Sequence, residues 1–300
     1  MSKLFKRTLV GIGMVVVVCG AIASRFWRTE VFDCLVLLLS LGCAYEVVKQ
    51  NALHGKKLFI IPVMVFPLVV FLSNYFAPSV LWALLYEAVA LVLIFCGCIC
   101  AEIVLARAKA SKINDETKES GGLLDSSKRT IAYCAYPTML LGSLYGINGL
   151  GLELGLVGLL LVFGVSALSD TFAFFFGVWL KGPRLCPEIS PKKGVIGMIF
   201  GFVGGIVAAA VIFCVFRFTS ILPSEINTIP LVNAILIFVA CGIFGSFATQ
   251  IGDLFESAIK RNLDIKDFGN IFPGHGGFMD RVDGQMFNSV LVLAIMLIFI

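Results

Sequence analysis

Between Ser257 and Asp283 the chain reads SAIKRNLDIKDFGNIFPGHGGFMDRVD, which sets four basic residues, four acidic residues and one of its two histidines in 27 positions. Just upstream, Asp253 is followed at i+4 and i+7 by Ser257 and Lys260, so a helix there lines up an acid, a hydroxyl and an ammonium on one face. Asp280 and Asp283 stand three apart, which puts both on one side of a helix that begins at that point. Between these groups runs Pro273-Gly274-His275-Gly276-Gly277, whose glycines permit a sharp turn and a close approach of backbone N–H groups to an anion. Carboxylates converging with Lys260, Arg261, Lys266, His275 and Arg281 suit a magnesium–polyphosphate site. Mg²⁺ is held by one or two carboxylates plus substrate phosphate oxygens, while Lys and Arg neutralise the remaining charge. The bland alternative is an interfacial charge network that only anchors the loop. Glycine density and three convergent acids favour chemistry over that alternative.

A second polar cluster lies in SDTFAFFFGVWLKGPRLCPEISPKK. Asp170 falls inside an apolar segment, where an acid needs a partner or a polar cavity. It sits about ten residues, or roughly 15 Å of helix, from the segment end at Trp179–Lys181, a depth suited to lining a cavity that opens there. Lys192 and Lys193 follow Ser190-Pro191 and are placed to meet a phosphate or a lipid surface. Glu87 is a further acid inside an apolar run, with no partner evident from the sequence. Gly197, Gly201 and Gly205 form a small-xxx-small stripe, most simply a helix-packing face.

The elements that position these groups are membrane spans. Hydrophobic residues make up 59% of the chain, charged residues 14%, and mean hydropathy is +0.99. Soluble domains carry about 25% charged residues. The net charge of +4 is small, and the aromatics lie within apolar runs instead of alternating with basic residues, which argues against nucleic-acid binding. The ten cysteines lie mostly in apolar runs. Cys96, Cys98 and Cys100 resemble a metal motif only until steps of about 200° on a helix scatter their thiols around the axis. They read as small buried apolar residues.

A bilayer crossing needs about 20 apolar residues, roughly 17 at minimum. Nine candidate spans meet or approach that length: 8–24, 31–48, 58–73, 80–104, 130–147, 153–180, 195–218, 229–252 and 284–300. The first, behind Lys3, Lys6 and Arg7, reads as a retained helix and not a cleaved leader. Basic residues concentrate in alternate loops, and the third, fifth and seventh loops contain no Lys or Arg. By the positive-inside rule the N-terminus is cytoplasmic, the C-terminus outside, and the polar clusters face the cytoplasm. Arg25 and Arg28 in the first outer loop dissent. The connector 105–129 reads as solvated chain. The expectation is an all-α polytopic membrane protein of nine transmembrane helices. Residues 1–129 hold the first helices and connector, and 130–300 form the catalytic region.

The run S-A-I-K-R, K-D, P-G-H-G-G-F-M-D-R-V-D from Ser257 to Asp283, preceded by Gly252-Asp253-Leu254, resembles the C-terminal motif of CDP-diacylglycerol synthases (phosphatidate cytidylyltransferases). The Asp170-Thr171 and Pro187-x-Ile189-Ser190-Pro191-x-Lys193 segments are similar to that family's upstream motif. They depart from it at Phe172 and Phe174, and where Gly194-Val195-Ile196 follows Lys193. The resemblance implies transfer of the cytidylyl group of CTP to phosphatidic acid, giving CDP-diacylglycerol and pyrophosphate, in a bacterial inner membrane. It implies Asp253, Asp280 and Asp283 as ligands of Mg²⁺, with a second cation such as K⁺ as an added option. Those three acids, Lys260 and His275 would form the catalytic set. Ser257, Arg261, Lys266, Asp267, Gly276, Gly277, Arg281, Asp170, Lys192 and Lys193 would bind substrate. A homodimer is a further implication.

Two rivals remain at this stage. A CTP-dependent kinase of a lipid alcohol such as a polyprenol would release CDP in place of pyrophosphate. A transporter would use Asp170 and Glu87 along a pathway, but the densest polar cluster lies at one face and no inverted repeat is visible.

Overall fold

The computed structural model describes residues 3–110, 125–180, 182–219, 226 and 228–299. Most of the connector expected at 105–129, together with Lys181, lies outside the described residues. The helices are α1 (Lys3–Ser24), α2 (Thr29–Leu53), α3 (Ile60–Phe76), α4 (Val80–Ala110), α5 (Asp125–Tyr133), α6 (Leu140–Asn148), α7 (Leu152–Leu180), α8 (Val195–Phe218), α9 (Leu231–Asn262) and α10 (Met279–Phe299). Between α7 and α8 a short antiparallel hairpin pairs β1 (Arg184–Cys186) with β2 (Ser190–Gly194). Among the described residues six helices, α2, α4, α7, α8, α9 and α10, are long and apolar enough to cross a membrane. The apolar stretch Leu9–Ser24 and α3 are shorter. The chain is an all-α integral membrane protein.

The expected fifth span, 130–147, is not one helix. α5 stops at Tyr133, the backbone of Tyr136 leaves the helical region (φ −116, ψ 115) ahead of Pro137, and α6 restarts at Leu140. Proline crowds the residue before it out of the helical region and brings no N–H of its own. Hydropathy registers the apolar run and not that break.

The chain divides into two compact units. In the unit Leu37–Gly142, α4 packs against α3 and α5. Glu102 of α4 accepts hydrogen bonds from Ser126 N–H (3.1 Å) and Ser127 Oγ (2.6 Å), which satisfies donors at the start of α5. Glu87 is buried there, and its Oε1 accepts from Asn74 Nδ2 (2.7 Å) and Ser73 Oγ (3.3 Å), the partners its sequence context did not name.

The other unit comprises Met1–Val36 and Ser143–Ile300. Its core is α7, α8, α9 and α10, packed on one another. A Cβ on Gly205 would stand 2.6 Å from the Gly242 carbonyl oxygen, and one on Gly197 would stand 2.8 Å from that of Ala173. The glycine stripe of α8 is therefore spent on packing against α9 and α7 within the chain. Polar side chains fix the rotation of the bundle. Asn288 of α10 donates to the Val162 carbonyl (2.9 Å) and Ser166 Oγ (3.1 Å), and Ser166 hydrogen-bonds Thr249 of α9 (2.9 Å). Ser143 Oγ donates to Ser289 Oγ at 2.6 Å, which ties α6 to α10.

Arg25 loses its status as a topological dissenter. It is 2% exposed, and its guanidinium donates to Asn148 Oδ1, to the Gly151 carbonyl (2.8 Å) and to the Leu152 carbonyl (3.2 Å). Asn148 in turn donates to Asp33 Oδ1 at 2.9 Å. Arg25 thus satisfies carbonyls at the α6–α7 turn and is not a surface charge, whereas Arg28 is exposed. Breaking a buried charge network by removing one partner costs about 3–5 kcal/mol. Arg25→Met is expected to lower the thermal midpoint in detergent by an amount of that order, and Arg28→Met to leave it nearly unchanged.

Candidate active site

α9 holds 32 residues, about 48 Å of helix against a hydrocarbon core of about 30 Å. Its apolar run gives way at Asp253, and Asp253, Glu256, Ser257 and Lys260 follow on one face of its last turns. The helix stops where Asp264 takes a left-handed conformation (φ 55). Ile265 N–H then reaches the Lys260 carbonyl (2.9 Å), and Asp264 N–H reaches that of Arg261 (3.1 Å), the paired bonds that close a helix C-terminus. The connection to α10 is held by apolar anchors, Leu263 and Phe268, both buried, and by edge-to-face packing of Phe272 on Phe278 with centroids 5.2 Å apart.

Asp280, in the first turn of α10, is the fixing point of this loop. Its Oδ1 receives Lys260 Nζ at 2.9 Å, and its Oδ2 receives the N–H groups of Phe268 (2.8 Å) and Gly277 (2.9 Å). Lys260 also reaches Glu256 Oε1 at 3.4 Å. The glycine motif makes the pin possible. Phe272 and Gly276 pair across a tight turn, with Phe272 N–H on the Gly276 carbonyl (2.9 Å) and His275 N–H on the Phe272 carbonyl (2.8 Å). Gly276 has φ +83, and a Cβ there would stand 2.6 Å from Asp280 Oδ2. Both conditions demand glycine.

Asp283, one turn further along α10, faces the interior cluster. It accepts from Gly284 N–H (2.8 Å), and its electrostatic neighbours are Glu256, Asp253 and Lys260. Asp253 makes an ion pair with Lys193 of β2 (Nζ–Oδ2 2.6 Å) and accepts from Ser257 Oγ (3.4 Å). Lys193 also donates to the Gln250 carbonyl at 3.4 Å. Asp170 of α7 joins the group, with Asp283, Asp253, Lys193 and Arg281 as its charged neighbours. Arg261 donates to the Ile189 carbonyl at 3.4 Å, which links α9 to the hairpin.

The structure therefore gathers Asp170, Lys193, Asp253, Ser257, Lys260, Asp280, Arg281 and Asp283, with the backbone of Gly276 and Gly277 as scaffold. Lys266 and Asp267 are exposed on the loop. The side chain of Lys192 lies outside the described residues. His275 turns its Nε2 toward α1, 4.0 Å from where a Cβ of Gly11 would stand, and its buried Nδ1 has no hydrogen-bond partner.

Two findings alter the expected roles. Asp280 already serves a lysine and two backbone donors, so it holds the loop instead of standing open beside Asp253 and Asp283. Among the described residues no group of three or more His, Cys, Asp or Glu side chains is arranged to hold a metal ion. Glu256 is the residue that sequence reasoning passed over. It is fully buried, faces Asp283, and neither of its oxygens receives a hydrogen bond. The spacing 253, 256, 260 would have revealed it as part of the same helical face.

These features define a class: a polytopic helical membrane protein with an acid- and lysine-lined polar site where two spans meet a glycine loop. The chain matches the profile of the Cytidylyltransferase family over residues 5–299 and belongs to that family. It is 45% identical over 119 residues to the phosphatidate cytidylyltransferase of Bacillus subtilis (40% of this chain, 39% of the relative). It is 34% identical over 137 residues to that of Thermotoga maritima (45% and 47%) and 37% identical over 144 residues to that of Rickettsia conorii (47% and 58%). In each case the matched stretch spans about half of the relative's length.

Gly276→Ala adds a strained φ and a clash at Asp280, a local cost of about 1–3 kcal/mol. The variant is expected to speed hydrogen exchange of the Phe268 and Gly277 amides by tenfold or more, while exchange in the α7–α8 core stays unchanged; mass spectrometry of the detergent-solubilised protein reads both.

Proposed function

We propose that this chain is a phosphatidate cytidylyltransferase, an enzyme of phospholipid biosynthesis. It transfers the cytidylyl group of CTP to phosphatidic acid and yields CDP-diacylglycerol and pyrophosphate. The observation that carries this reading is the pinned glycine loop, which presents Asp283 to Asp253 and Lys193 at the ends of membrane spans, in a chain of this family whose relatives bear that name.

A lipid phosphate oxygen attacks the α-phosphorus of CTP as the bond to the β-phosphate oxygen breaks. A phosphate monoester with a second pKa of about 6 is mostly dianionic at neutral pH, so no strong general base is needed. That suits a cluster without a Ser–His pair. The obstacle is repulsion between two polyanions. Lys193, Arg261, Lys266 and Arg281, with Lys192, are the cations for the triphosphate and the lipid phosphate, and Asp170 bounds the site on the membrane side. Lys260 is committed to Glu256 and Asp280 and acts by holding the loop.

The donor set fits Mg²⁺. Asp253 and Asp283 supply two carboxylates, and the facing acids Glu256 and Asp283 repel unless a proton or cation accompanies them. We assign the metal to Asp253 and Asp283, with Asp280 as the loop pin; a second cation such as K⁺ belongs to the same proposal. When bound, Mg²⁺ supplies charge neutralisation and in-line orientation of the phosphates. The reading extends to nine spans with the N-terminus and site on the cytoplasmic side of a bacterial inner membrane, and to a homodimer whose interface lies off the glycine stripe.

Detergent-purified protein given labelled CTP, phosphatidic acid and Mg²⁺ is expected to form CDP-lipid and pyrophosphate in equal amounts, and to stop with EDTA. Asp283→Asn should lower kcat by at least about 10²-fold, the scale of a lost positioning contact. Release of CDP with a phosphorylated lipid alcohol would transfer the chain to the lipid kinases instead.

A further inference from the structure

We infer that Lys193 is a built-in counter-cation for Asp253: it occupies the carboxylate while no divalent cation is bound and exchanges onto the phosphate of an incoming nucleotide as the metal takes its place. This rests on the transferase reading above but concerns a step before chemistry.

The geometry is direct. Lys193 Nζ lies 2.6 Å from Asp253 Oδ2, with the Gln250 carbonyl 3.4 Å away as its other contact on α9. The other oxygen of Asp253 accepts from Ser257 at 3.4 Å. A Mg²⁺ ion binds carboxylate oxygen at about 2.0–2.1 Å, so an ammonium on that same oxygen and the metal are mutually repelling neighbours. One must leave. The partners are not buried: the Lys193 side chain is 26% exposed and that of Asp253 36%, so the pair opens toward solvent.

Lys260 shows what a fixed lysine looks like in the same site. It has two carboxylate partners, at 2.9 and 3.4 Å, and 12% side-chain exposure. Lys193 has one carboxylate. Its backbone, by contrast, is firmly held. β2 pairs with β1 in the register Arg184↔Gly194, Val195 N–H reaches the Pro183 carbonyl (2.9 Å), and Arg261 fastens the hairpin at Ile189 (3.4 Å). A fixed backbone and a four-carbon stem allow the ammonium to swing while the hairpin stays. The electron-rich destination that arrives with the metal is the polyphosphate.

Two consequences follow. Lys193 weakens metal binding in the absence of nucleotide, and it strengthens nucleotide binding once the metal is present. The full-length chain in detergent is titrated with Mn²⁺ alone and free ion is read by electron paramagnetic resonance. Lys193→Met is expected to bind Mn²⁺ at least about fivefold more tightly than the unsubstituted chain, the lower end of usual coupling between sites. Lys193→Arg should behave like the unsubstituted chain, and in the transfer assay Lys193→Met should raise KM for CTP. Lys193→Gln repeats the test should the Met variant fail to elute as a folded protein.

Equal or weaker Mn²⁺ binding by the uncharged variants, with cytidylyl transfer intact in the unsubstituted chain, overturns the exchange and leaves the transferase reading standing. Tighter binding by the variants in a chain that shows no cytidylyl transfer supports the exchange and removes the reading. Absence of Mn²⁺ binding in every form overturns both.

Discussion

One buried carboxylate organises the site. Asp280 accepts from Lys260 of α9, from two backbone N–H groups of the intervening loop, and itself belongs to the first turn of α10. Desolvating a carboxylate is expensive unless its lone pairs find donors, and here each donor comes from a different part of the chain. Satisfying that single group therefore fixes the end of one span, the path of the loop and the start of the next. Asp283, one helical turn on, inherits its position from this arrangement. The glycines serve the same requirement: at Gly276 a side chain would occupy the space into which Asp280 Oδ2 projects.

Below the site the bundle faces a related constraint. Apolar packing between helices specifies rotation weakly when lipid is as apolar as the core, and hydrogen bonds specify it strongly. Asn288, Ser166 and Thr249 supply such bonds between α10, α7 and α9, while Gly205 and Gly242 let α8 and α9 approach to backbone contact. Rotating α9 by one residue, about 100°, would break the Thr249 bond and also carry Asp253 away from Asp283. The membrane-embedded polar residues thereby aim the carboxylates above them.

Much of this was legible because helical spacing and local turn chemistry are written in consecutive residues. The shared face of Asp253, Ser257 and Lys260, the tight turn at 272–276 and the helix start at Met279 all follow from short-range pattern. Partners distant in sequence were not legible. Arg25 meets carbonyls more than 120 residues away, so its charge reads as a loop charge until the fold is known. The break at Tyr136-Pro137 is invisible to hydropathy, which counts apolar side chains and not backbone angles. The expected three-acid ligand set came from placing Asp280 and Asp283 on one side of a helix, a correct periodicity that could not show the loop N–H groups already engaging Asp280. Gly194 looked like a lapse from motif. In the hairpin it faces Arg184 and starts α8, which leaves the neighbouring Lys193 aimed at Asp253.

The charges of the site explain why its two described inner lysines do different work. Five carboxyl groups, Asp170, Asp253, Glu256, Asp280 and Asp283, converge on a region that Lys260 and Lys193 reach directly. Such a surplus of acid is unfavourable at low dielectric and draws in cations or protons. Lys260 answers the part of the surplus that must never be exposed, because Asp280 and Glu256 are buried and hold the loop together. Lys193 answers the part that must be surrendered when a metal and a polyanion arrive, because Asp253 lies at the solvent side with a single strong partner. The number of carboxylates on each ammonium, two against one, separates the scaffold from the moving part. A site built to receive a metal–polyphosphate needs both: a lysine that cannot leave, so that the carboxylates keep their places, and another that can, so that one of them is free to bind.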